Sequence, residues 1–283
     1  QFKLQFEEIV LCDIRETERI ERVFENFKPN VVFHAAAYKH VPMMERFPEE
    51  AVFTNVLGTR NMAEVSKKSG VERFVFVSTD KAVNPTSVMG ASKRIAEMVI
   101  GSLSDESETS FIVVRFGNVL GSRGSVVPIF KRQISRGGPI TITHPEMIRY
   151  FMTVPEAVQL VIQAGSMGNG GEIFVLDMGE PVRIVDLAKD LIKLSGLEPE
   201  IDIDIEFVGI RPGEKLYEEL FTENESLDAT KNERIFLTMA EKVDKTLFEK
   251  QLSNLLRLAG DLDRDGVLRQ IKEIIPSYGQ DGE

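Results

Sequence analysis

Several residue types are scarce in this sequence, and each scarcity excludes a class of protein. One cysteine, Cys12, stands among 283 residues, so no intrachain disulfide can form, which fits a reducing cytoplasm. The three histidines and this cysteine show no metal-ligand spacing, so we expect no metal site. The sequence has no apolar run of about 18 residues and no secretory signal, so it predicts no membrane span of its own.

Positive charge is in deficit, since 34 Lys and Arg residues face 45 Asp and Glu residues and the formal net charge is −11. An acidic surface repels phosphate backbones, so we expect no nucleic acid partner. A small polyanionic ligand can still bind through local arginines or helix N-termini. The hydrophobic fraction of 42% is ordinary for a globular chain with a full core.

Strand-like and helix-like runs alternate through the first half of the chain. Short apolar runs predict strands, and runs with apolar residues every three to four positions predict helices. This alternation is typical of an α/β fold with a Rossmann-like, doubly wound parallel sheet, which binds ligands at the carboxyl ends of its strands. The predicted strands are 8–12, 31–35, 73–78 and 111–116, and the predicted helices are 16–27, 49–68 and 89–103.

The pattern changes after about residue 119, where glycines punctuate a mixture of short strands and helices. We therefore divide the chain into a partial dinucleotide-binding Rossmann domain, residues 1–118, and a smaller, mainly substrate-binding region, residues 119–241. A clear amphipathic helix is predicted over 183–195. Residues 242–283 form a charged tail, helical over 242–275, which we interpret as a packing or oligomer element of a homo-oligomer.

The segment 78–93 carries the densest set of polar candidates. It begins where a buried strand ends, continues through the run Thr79-Asp80-Lys81, and finishes in a helix. Lys93 lies four residues after Met89, so both project from one helical face. Polar groups at a strand end and a helix-borne lysine can converge on one ligand, although the first residues alone could form only a strand-end turn.

This segment, residues 78–93, is called the strip below. It resembles the signature of extended short-chain dehydrogenases, in which a strand ending in Ser-Thr precedes an aromatic-x-x-x-Lys helix. Met89 stands where that family has its catalytic tyrosine. Together with Thr79-Asp80-Lys81, the strip resembles the UDP-N-acetylglucosamine 4,6-dehydratases, in particular the CapD/polysaccharide-biosynthesis group, which has the same Tyr-to-Met exchange. Further motifs of this group match at 34–42 (HAAAYKHVP), 115–119 (RFGNV), 121–125 (GSRGS), 211–215 (RPGEK) and 275–278 (IPSY).

The resemblance implies a lyase that converts a UDP-sugar, UDP-GlcNAc, into a 4-keto-6-deoxy sugar for polysaccharide or glycan synthesis. NADP, or NAD, would accept a hydride from C4 and return it to C6 after water is lost. Lys81 matches the base for the C5 proton, and Asp80 matches the acid that helps to expel the C6 hydroxyl. Thr79 would hydrogen-bond the C4 oxygen, and Lys93 would hold the nicotinamide ribose. A lysine acts as a base only if its pKa falls, which we expect burial or Lys93 to achieve.

Met89 is the departure from the tyrosine pattern, because a thioether can neither accept nor donate the C4 hydroxyl proton. That role passes to Asp80, Lys81 or a water. We favour Asp80, the only acidic group in the strip, as the group that takes the C4 proton and later delivers it to the leaving hydroxyl. Met89 could also be a plain helical core residue, which is compatible with this interpretation.

Other positions take roles from the resemblance. Asp13 would bind the adenine amine, small alanines would let the dinucleotide approach the backbone, and arginines can fork onto a diphosphate. Some of these residues have structural alternatives, such as a helix N-cap for Asp13, a turn at 211–214 and a buried amide for Asn55. The implied cofactor contacts are Asp13, Ala35, Ala36, Asn55, Ser78, Lys93 and Phe116, and the implied substrate contacts are Lys39, Asn118, Arg123, Arg149, Arg211 and Glu214.

Gly58 is the only glycine among the first 60 residues. A dinucleotide fold needs a glycine-rich turn after its first strand, where backbone N–H groups hold the pyrophosphate. We therefore predict that an N-terminal βαβ unit is missing and that this chain binds NADP(H) poorly. Relatives of the membrane-linked branch carry N-terminal transmembrane helices, so the resemblance implies a cytoplasmic domain of an inner-membrane-associated protein.

Two alternative functions stay open. A UDP-sugar 4-epimerase also oxidises C4, but it needs neither a C5 base nor a C6 acid. A non-catalytic nucleotide-sugar-binding protein would explain both the missing tyrosine and the missing glycine-rich turn. The intact Thr79-Asp80-Lys81 run and Lys93 favour the dehydratase over both.

Overall fold

The computed structural model describes residues 8–105, 107–122, 124–222, 225–240 and 243–279. In chain order its strands are β1 (Val31–His34), β2 (Arg73–Val77), β3 (Ser110–Arg115), β4 (Asn118–Val119), β5 (Ile140–Ile142), β6 (Ile148–Arg149), β7 (Phe151–Met152), β8 (Glu172–Leu176), β9 (Val182–Arg183), β10 (Ile205–Phe207), β11 (Asp228–Ala229) and β12 (Ile235–Met239). Its α-helices are α1 (Thr17–Phe27), α2 (Val41–Arg46), α3 (Pro48–Ala51), α4 (Gly58–Lys68), α5 (Val88–Ser104), α6 (Val126–Ile134), α7 (Val154–Met167), α8 (Ile184–Leu194), α9 (Lys245–Gly260) and α10 (Arg264–Ile274).

A six-stranded sheet in the order β1-β2-β3-β8-β12-β11 forms the centre of the fold. The first four strands are parallel, and β12 and β11 add antiparallel pairs at one edge. This is the predicted α/β fold with a Rossmann-like parallel sheet. Three two-stranded pairs, β10 with β5, β4 with β7 and β6 with β9, lie outside this sheet. The division at residues 118 and 241 stays a prediction.

Helices cover both faces of the sheet, because the side chains of a strand alternate between them. On β2, Phe74 and Phe76 face one apolar cluster, which includes Ala96 and Ile100 of α5. Val75 faces the opposite cluster, which includes residues of α7. The inner parallel strands β2 and β3 are therefore buried on both sides, as their nearly continuous apolar sequence predicts, whereas Val31 and Phe33 of the edge strand β1 are exposed.

The predicted helix 49–68 is divided in the structure. It consists of α3, a π-helical turn over Val52–Leu57 and α4. Asn55 lies in the π-helical turn and is fully buried. A π-helical turn inside an α-helix frequently accompanies a functional site.

The prediction of a strand over 8–12 is wrong, since residues 8–13 form no regular structure. Ile9 and Leu11 are almost fully exposed, and no described strand pairs with the outer edge of β1. A strand needs a partner for its backbone groups, and this segment has none in the described part of the chain. Asp13 is also not the N-cap of α1, because Glu16 occupies that position.

The C-terminal tail, predicted to be helical over 242–275, is a packed hairpin of two helices, α9 and α10. Residue 242 lies outside the described residues. Phe248 and Leu252 of α9 and Ile271 of α10 join the apolar cluster that contains Met89 of α5. The tail therefore supports the helix of the candidate strip. Among the described residues, no helix is both long and apolar enough to cross a membrane.

Candidate active site

A cavity of about 530 Å³ lies at the carboxyl ends of β1, β2 and β3, and the later half of the chain closes its other side. This is the position that a doubly wound sheet favours for a ligand. Most of the predicted site residues line it. They are Ala35, Lys39, Ser78, Thr79, Lys81, Met89, Lys93, Phe116, Asn118, Arg149, Arg211 and Glu214.

Four predicted residues do not line this cavity, and a fifth, Arg123, lies outside the described residues. Asp13 lies on the surface, where the Arg15 guanidinium donates to both of its carboxylate oxygens and lowers the pKa of this carboxyl. Ala36 is exposed beside Ala35. Asn55 and Asp80 are buried behind the residues that line the cavity, and they contact those residues through hydrogen bonds. All of their functional roles stay predictions.

The start of α5 fixes the course of the strip between its two lysines. Ser87 caps the helix, and its hydroxyl accepts from Gly90 N at 3.1 Å. The half-buried Glu45 carboxylate accepts from Val88 N at 2.7 Å. A Cβ at Gly90 would collide with the backbone oxygen of Lys81. Only glycine therefore lets the helix approach the backbone of Lys81 this closely.

We expect Gly90→Ala to destabilise the fold by about 1–3 kcal/mol, because a backbone atom must move to make room. Gly101→Ala, in the same helix, is the matched control. Its Cβ would meet only Ala240 Cβ at 3.4 Å, so we expect a gain of about 0.5–1 kcal/mol from higher helix propensity. Chemical denaturation of both variants measures the difference. Equal stability of the two would contradict the close approach.

Three oxygen atoms surround Lys81 Nζ. They are Asp80 Oδ1 at 3.0 Å, Glu218 Oε1 at 3.2 Å and Asn118 Oδ1 at 3.4 Å. Burial favours the neutral amine, but the two carboxylates outweigh it and raise the pKa of Lys81 above its usual value. The expectation of a lowered pKa is therefore wrong for the resting site. The cation that opposes the ammonium is Arg149.

Asp80 is 1% exposed, and its two carboxylate oxygens have different surroundings. Oδ1 accepts from Thr79 Oγ1 at 2.8 Å and from Lys81 Nζ at 3.0 Å. Oδ2 is buried and has no hydrogen-bond partner among the described residues. It lies 3.1 Å from the point where a Cβ of Gly117 would be. A buried oxygen without a partner is costly in a folded protein, which is typical of a group kept for chemistry.

Lys93 is buried, and its Nζ donates to the backbone oxygen of Val77 at 2.7 Å. The same nitrogen lies 3.9 Å from the centre of the Phe76 ring. Burial lowers the pKa of Lys93 to about 7, with partial opposition from Glu97. Met89, one turn earlier on the same helix, is 4% exposed and lines the same cavity.

A buried ionic network lies behind the strip. Arg115, which is fully buried, donates two hydrogen bonds to Glu97 at 2.8 and 2.9 Å and two to Glu225 at 2.9 Å. Glu97 also accepts from Ser78 Oγ at 2.6 Å. Burial alone would raise the pKa of Glu97, but Arg115 lowers it to about 2. This network fixes Ser78 from behind and ties the end of β3 to Glu225.

Arg149 lines the cavity, yet its guanidinium is already engaged. Its Nη atoms donate to the backbone oxygens of Ile148, Lys215 and Leu216, and its Nε lies 3.5 Å from Glu218. It therefore braces the segment 215–218. At Arg211, by contrast, the guanidinium makes no hydrogen bond or ion pair in the described part of the chain. Its backbone N–H donates to Glu214 at 3.4 Å.

Two loops, one with Tyr38 and Lys39 and the other with Ser122, form the edge of the cavity. Asn55 holds the first loop, because its side-chain amide accepts from Tyr38 N at 2.7 Å and donates to Tyr38 O at 2.9 Å. Lys39 follows in that loop, and its Nζ donates to Ser122 Oγ at 3.3 Å. Burial lowers the pKa of Lys39. Asn55 therefore positions a cavity loop without lining the cavity itself.

The sequence interpretation missed three residues that hold the site together. Arg115 stands within an apolar strand run, where a lone charge in a buried strand was a usable signal of an internal ion pair. Glu97 lies four residues after Lys93 on α5, a spacing that places both on one helical face. Glu218 gave no such signal, because its partners lie far from it in the chain. Among the described residues, no cluster of His, Cys, Asp or Glu side chains could hold a metal.

Comparison with known proteins identifies the family. The family model described as polysaccharide biosynthesis protein matches residues 1–240. The capsular polysaccharide biosynthesis protein CapD of Staphylococcus aureus is 59% identical over 248 residues, which cover 87% of this chain but 41% of that protein. A UDP-glucose 4-epimerase of Rickettsia rickettsii is 40% identical over 231 residues, which cover 80% of this chain and 64% of that protein.

Solved structures agree with the family match. Pen from Bacillus thuringiensis has a TM-score of 0.75 and 42% identity, over 82% of this chain and 71% of that one. The Thermus thermophilus UDP-glucose 4-epimerase, solved with NAD, has a TM-score of 0.66 over 74% of each chain; at 24% identity it shows the fold alone. The chain belongs to the polysaccharide biosynthesis protein family, with the fold of the extended short-chain dehydrogenases.

Proposed function

We propose that this domain is the catalytic part of a nucleotide-sugar 4,6-dehydratase of polysaccharide biosynthesis, with UDP-GlcNAc as substrate. The observation that carries the proposal is the Thr79-Asp80-Lys81 run, in which Asp80 Oδ1 links a hydroxyl and an ammonium at the cavity wall. The 59% identity to a capsular polysaccharide biosynthesis protein supports the pathway. The chain spans 41% of that relative's length.

The residues at the strand ends fit the nicotinamide half of NADP or NAD. Lys93 would hold the ribose hydroxyls, and Ser78 and Phe116 would line the ring site. The exposed Ala35 at the end of β1 leaves room for a dinucleotide against the backbone. When bound, the cofactor would supply reversible hydride transfer to and from the sugar. Its pyrophosphate half has no fit in residues 1–60, where Gly58 is the only glycine.

Asp80 and Lys81 divide the proton transfers. Thr79 lines the cavity and donates to Asp80, so its hydroxyl can pass the C4 proton of the sugar to the carboxylate behind it. Lys81, in its neutral form, would take the C5 proton, leaving the electron pair on the enolate of the 4-keto sugar. Asp80 would then return its proton to the C6 hydroxyl, which leaves as water. Each positioned proton transfer contributes roughly 10²–10⁴-fold.

Met89 takes no part in these transfers, because its thioether has no proton to exchange. It packs with the C-terminal hairpin on one side and meets the cavity on the other. The Asp80 relay therefore replaces the tyrosine of related enzymes. Asp80 Oδ2, which has no partner in the described part of the chain, supports this assignment because it can hold the transferred proton.

Arg211 is the best candidate for the substrate diphosphate. Among the described arginines of the cavity, its guanidinium is the one with free donors, whereas Arg149 is engaged by backbone oxygens. An arginine fork matches two phosphate oxygens. Glu214 lies three residues further and is placed to accept from ribose hydroxyls of the nucleotide.

A 4-epimerase is the second candidate, and the 40% identity to a UDP-glucose 4-epimerase favours it. Both reactions begin with C4 oxidation, so most of the cavity would serve either. The difference lies in Lys81, because an epimerase needs no base at C5. A lysine held directly beside the C4 proton acceptor supports the dehydratase.

We expect the natural protein, incubated with UDP-GlcNAc and NADP⁺ or NAD⁺, to form a product lighter by one water. In heavy water the product should carry one solvent deuterium at C5, because the C5 proton is removed and replaced. Mass spectrometry measures both. Lys81→Arg is the control, since it keeps the positive charge but cannot act as a base. A product of unchanged mass with inverted C4 would establish the epimerase, and sugar binding without turnover would establish a binding protein.

A further inference from the structure

The Lys81 side chain lies between two carboxylates, and only Asp80 has a part in the chemistry proposed above. Glu218 is the other, from a segment more distant in the chain, at 3.2 Å from Nζ. An ammonium has three protons and no acceptor. The three oxygen atoms next to Lys81 Nζ, which belong to Asp80, Glu218 and Asn118, therefore match a fully protonated amine.

Glu218 is held firmly in this place. The residue is 8% exposed and lines the cavity. The oxygen that lies next to Lys81, Oε1, is also 3.5 Å from Arg149 Nε. The remaining donors of Arg149 bind the backbone oxygens of Ile148, Lys215 and Leu216, so this guanidinium cannot follow a moving carboxylate.

We propose that Glu218 is the positioning residue that holds Lys81 as an ammonium in the resting site and sets the pH at which this lysine becomes a base. The charged groups that face Lys81 are Asp80 and Glu218, which favour the ammonium, and Arg149, which opposes it. Asp80 loses its charge whenever it carries the C4 proton. Glu218 has no part in that transfer and remains next to Lys81 at 3.2 Å. The catalytic meaning of this inference rests on the proposed dehydratase function.

The test replaces Glu218 with glutamine, which keeps the shape and removes the charge. Glu219→Gln is the matched control, because it removes the same charge one residue along, where the carboxylate pairs with Lys215 and Asn84. The Lys81 signal is followed against pH by NMR of the ¹³C-lysine-labelled protein and assigned with Lys81→Arg. We expect the pKa of Lys81 to fall by about 1–3 units in Glu218→Gln and to stay unchanged in Glu219→Gln.

The pH dependence of turnover gives the second readout. The ascending limb of kcat against pH should move to lower pH by the same amount in Glu218→Gln. An unchanged pKa of Lys81 in a folded Glu218→Gln variant would overturn the proposal. If that variant does not fold, the same question is put to the unsubstituted protein. The ¹³C carboxyl signal of Glu218 should then move at the pH where Lys81 titrates, and a signal that does not move would overturn the proposal.

The NMR titration needs neither sugar nor cofactor. A shifted pKa of Lys81 without any dehydratase activity would leave the Glu218 inference standing and remove the proposed function. Dehydratase activity together with an unshifted pKa of Lys81 would remove the Glu218 inference and leave the proposed function standing.

Discussion

Asparagine in place of Asp80 is expected to abolish both the oxidation of the sugar at C4 and the loss of water, with turnover reduced roughly 10²–10⁴-fold. Asparagine has nearly the same shape, so Thr79 and Lys81 keep an oxygen acceptor. It cannot take up the C4 proton, however, and it has no proton to give to the C6 hydroxyl. Both steps fail because the same carboxylate serves both.

The measurement follows the reduced cofactor by absorbance and the sugar product by mass spectrometry in the natural protein. Asp177→Asn is the control, since Asp177 follows β8, another parallel strand of the sheet, and its carboxylate accepts from Gly179 N at 3.0 Å. It should keep full turnover. Formation of the 4-keto sugar at the normal rate by Asp80→Asn would show that another group accepts the C4 proton.

Methionine in place of Arg115 is expected to have the largest effect on stability, a loss of about 3–5 kcal/mol. Arg115 is fully buried between Glu97 and Glu225, so its removal takes four hydrogen bonds from two buried carboxylates. It leaves them facing Arg94, at 3.2 Å from Glu97 and 3.9 Å from Glu225. Chemical denaturation measures the loss. Arg257→Met is the matched control, because the Arg257–Asp261 pair is about 60% exposed on both sides and water screens it. That change should cost at most about 1 kcal/mol.

The effect of Arg115→Met should also depend on pH. Arg115 lowers the pKa of Glu97 from 4.5 to about 2, so the stability that this pair adds is complete above pH 4.5. It is lost as the pH falls towards 2, where the carboxylate takes up a proton in the folded state. The difference between the two proteins should therefore narrow over this range. A difference that stays constant down to pH 2 would assign the loss to packing alone.

Local sequence patterns were sufficient to predict the three parallel strands β1, β2 and β3 and the edge of the sheet where the cavity lies, but not the strands β8, β12 and β11. The strands near 31–35, 73–78 and 111–116 and the helix near 89–103 are confirmed within one or two residues, because each is a continuous apolar or periodic run. Their polar ends meet at one edge of the sheet because the strands are parallel. The strand over 8–12 failed for the opposite reason, since its apolar residues have no described partner strand.

The electrostatics of the site could not be predicted from local patterns. The pKa of Lys81 is raised and not lowered because Glu218, far along the chain, folds to within 3.2 Å of it. The engagement of Arg149 likewise depends on backbone oxygens of a segment more than 60 residues away. Charges at such sequence distances become neighbours only through the tertiary fold, and their distances decide the sign of each shift.

The helical hairpin of α9 and α10 has a consequence for how this site evolves. It begins at Lys245, beyond the family match that ends at residue 240, and yet its apolar side chains share one core with Met89. A change of side-chain volume at Phe248 or Leu252 would shift α5 at Met89 without altering any polar side chain of the cavity. Related proteins can therefore differ in where the Met89 side chain meets the cavity while every residue of the segment 78–93 stays the same.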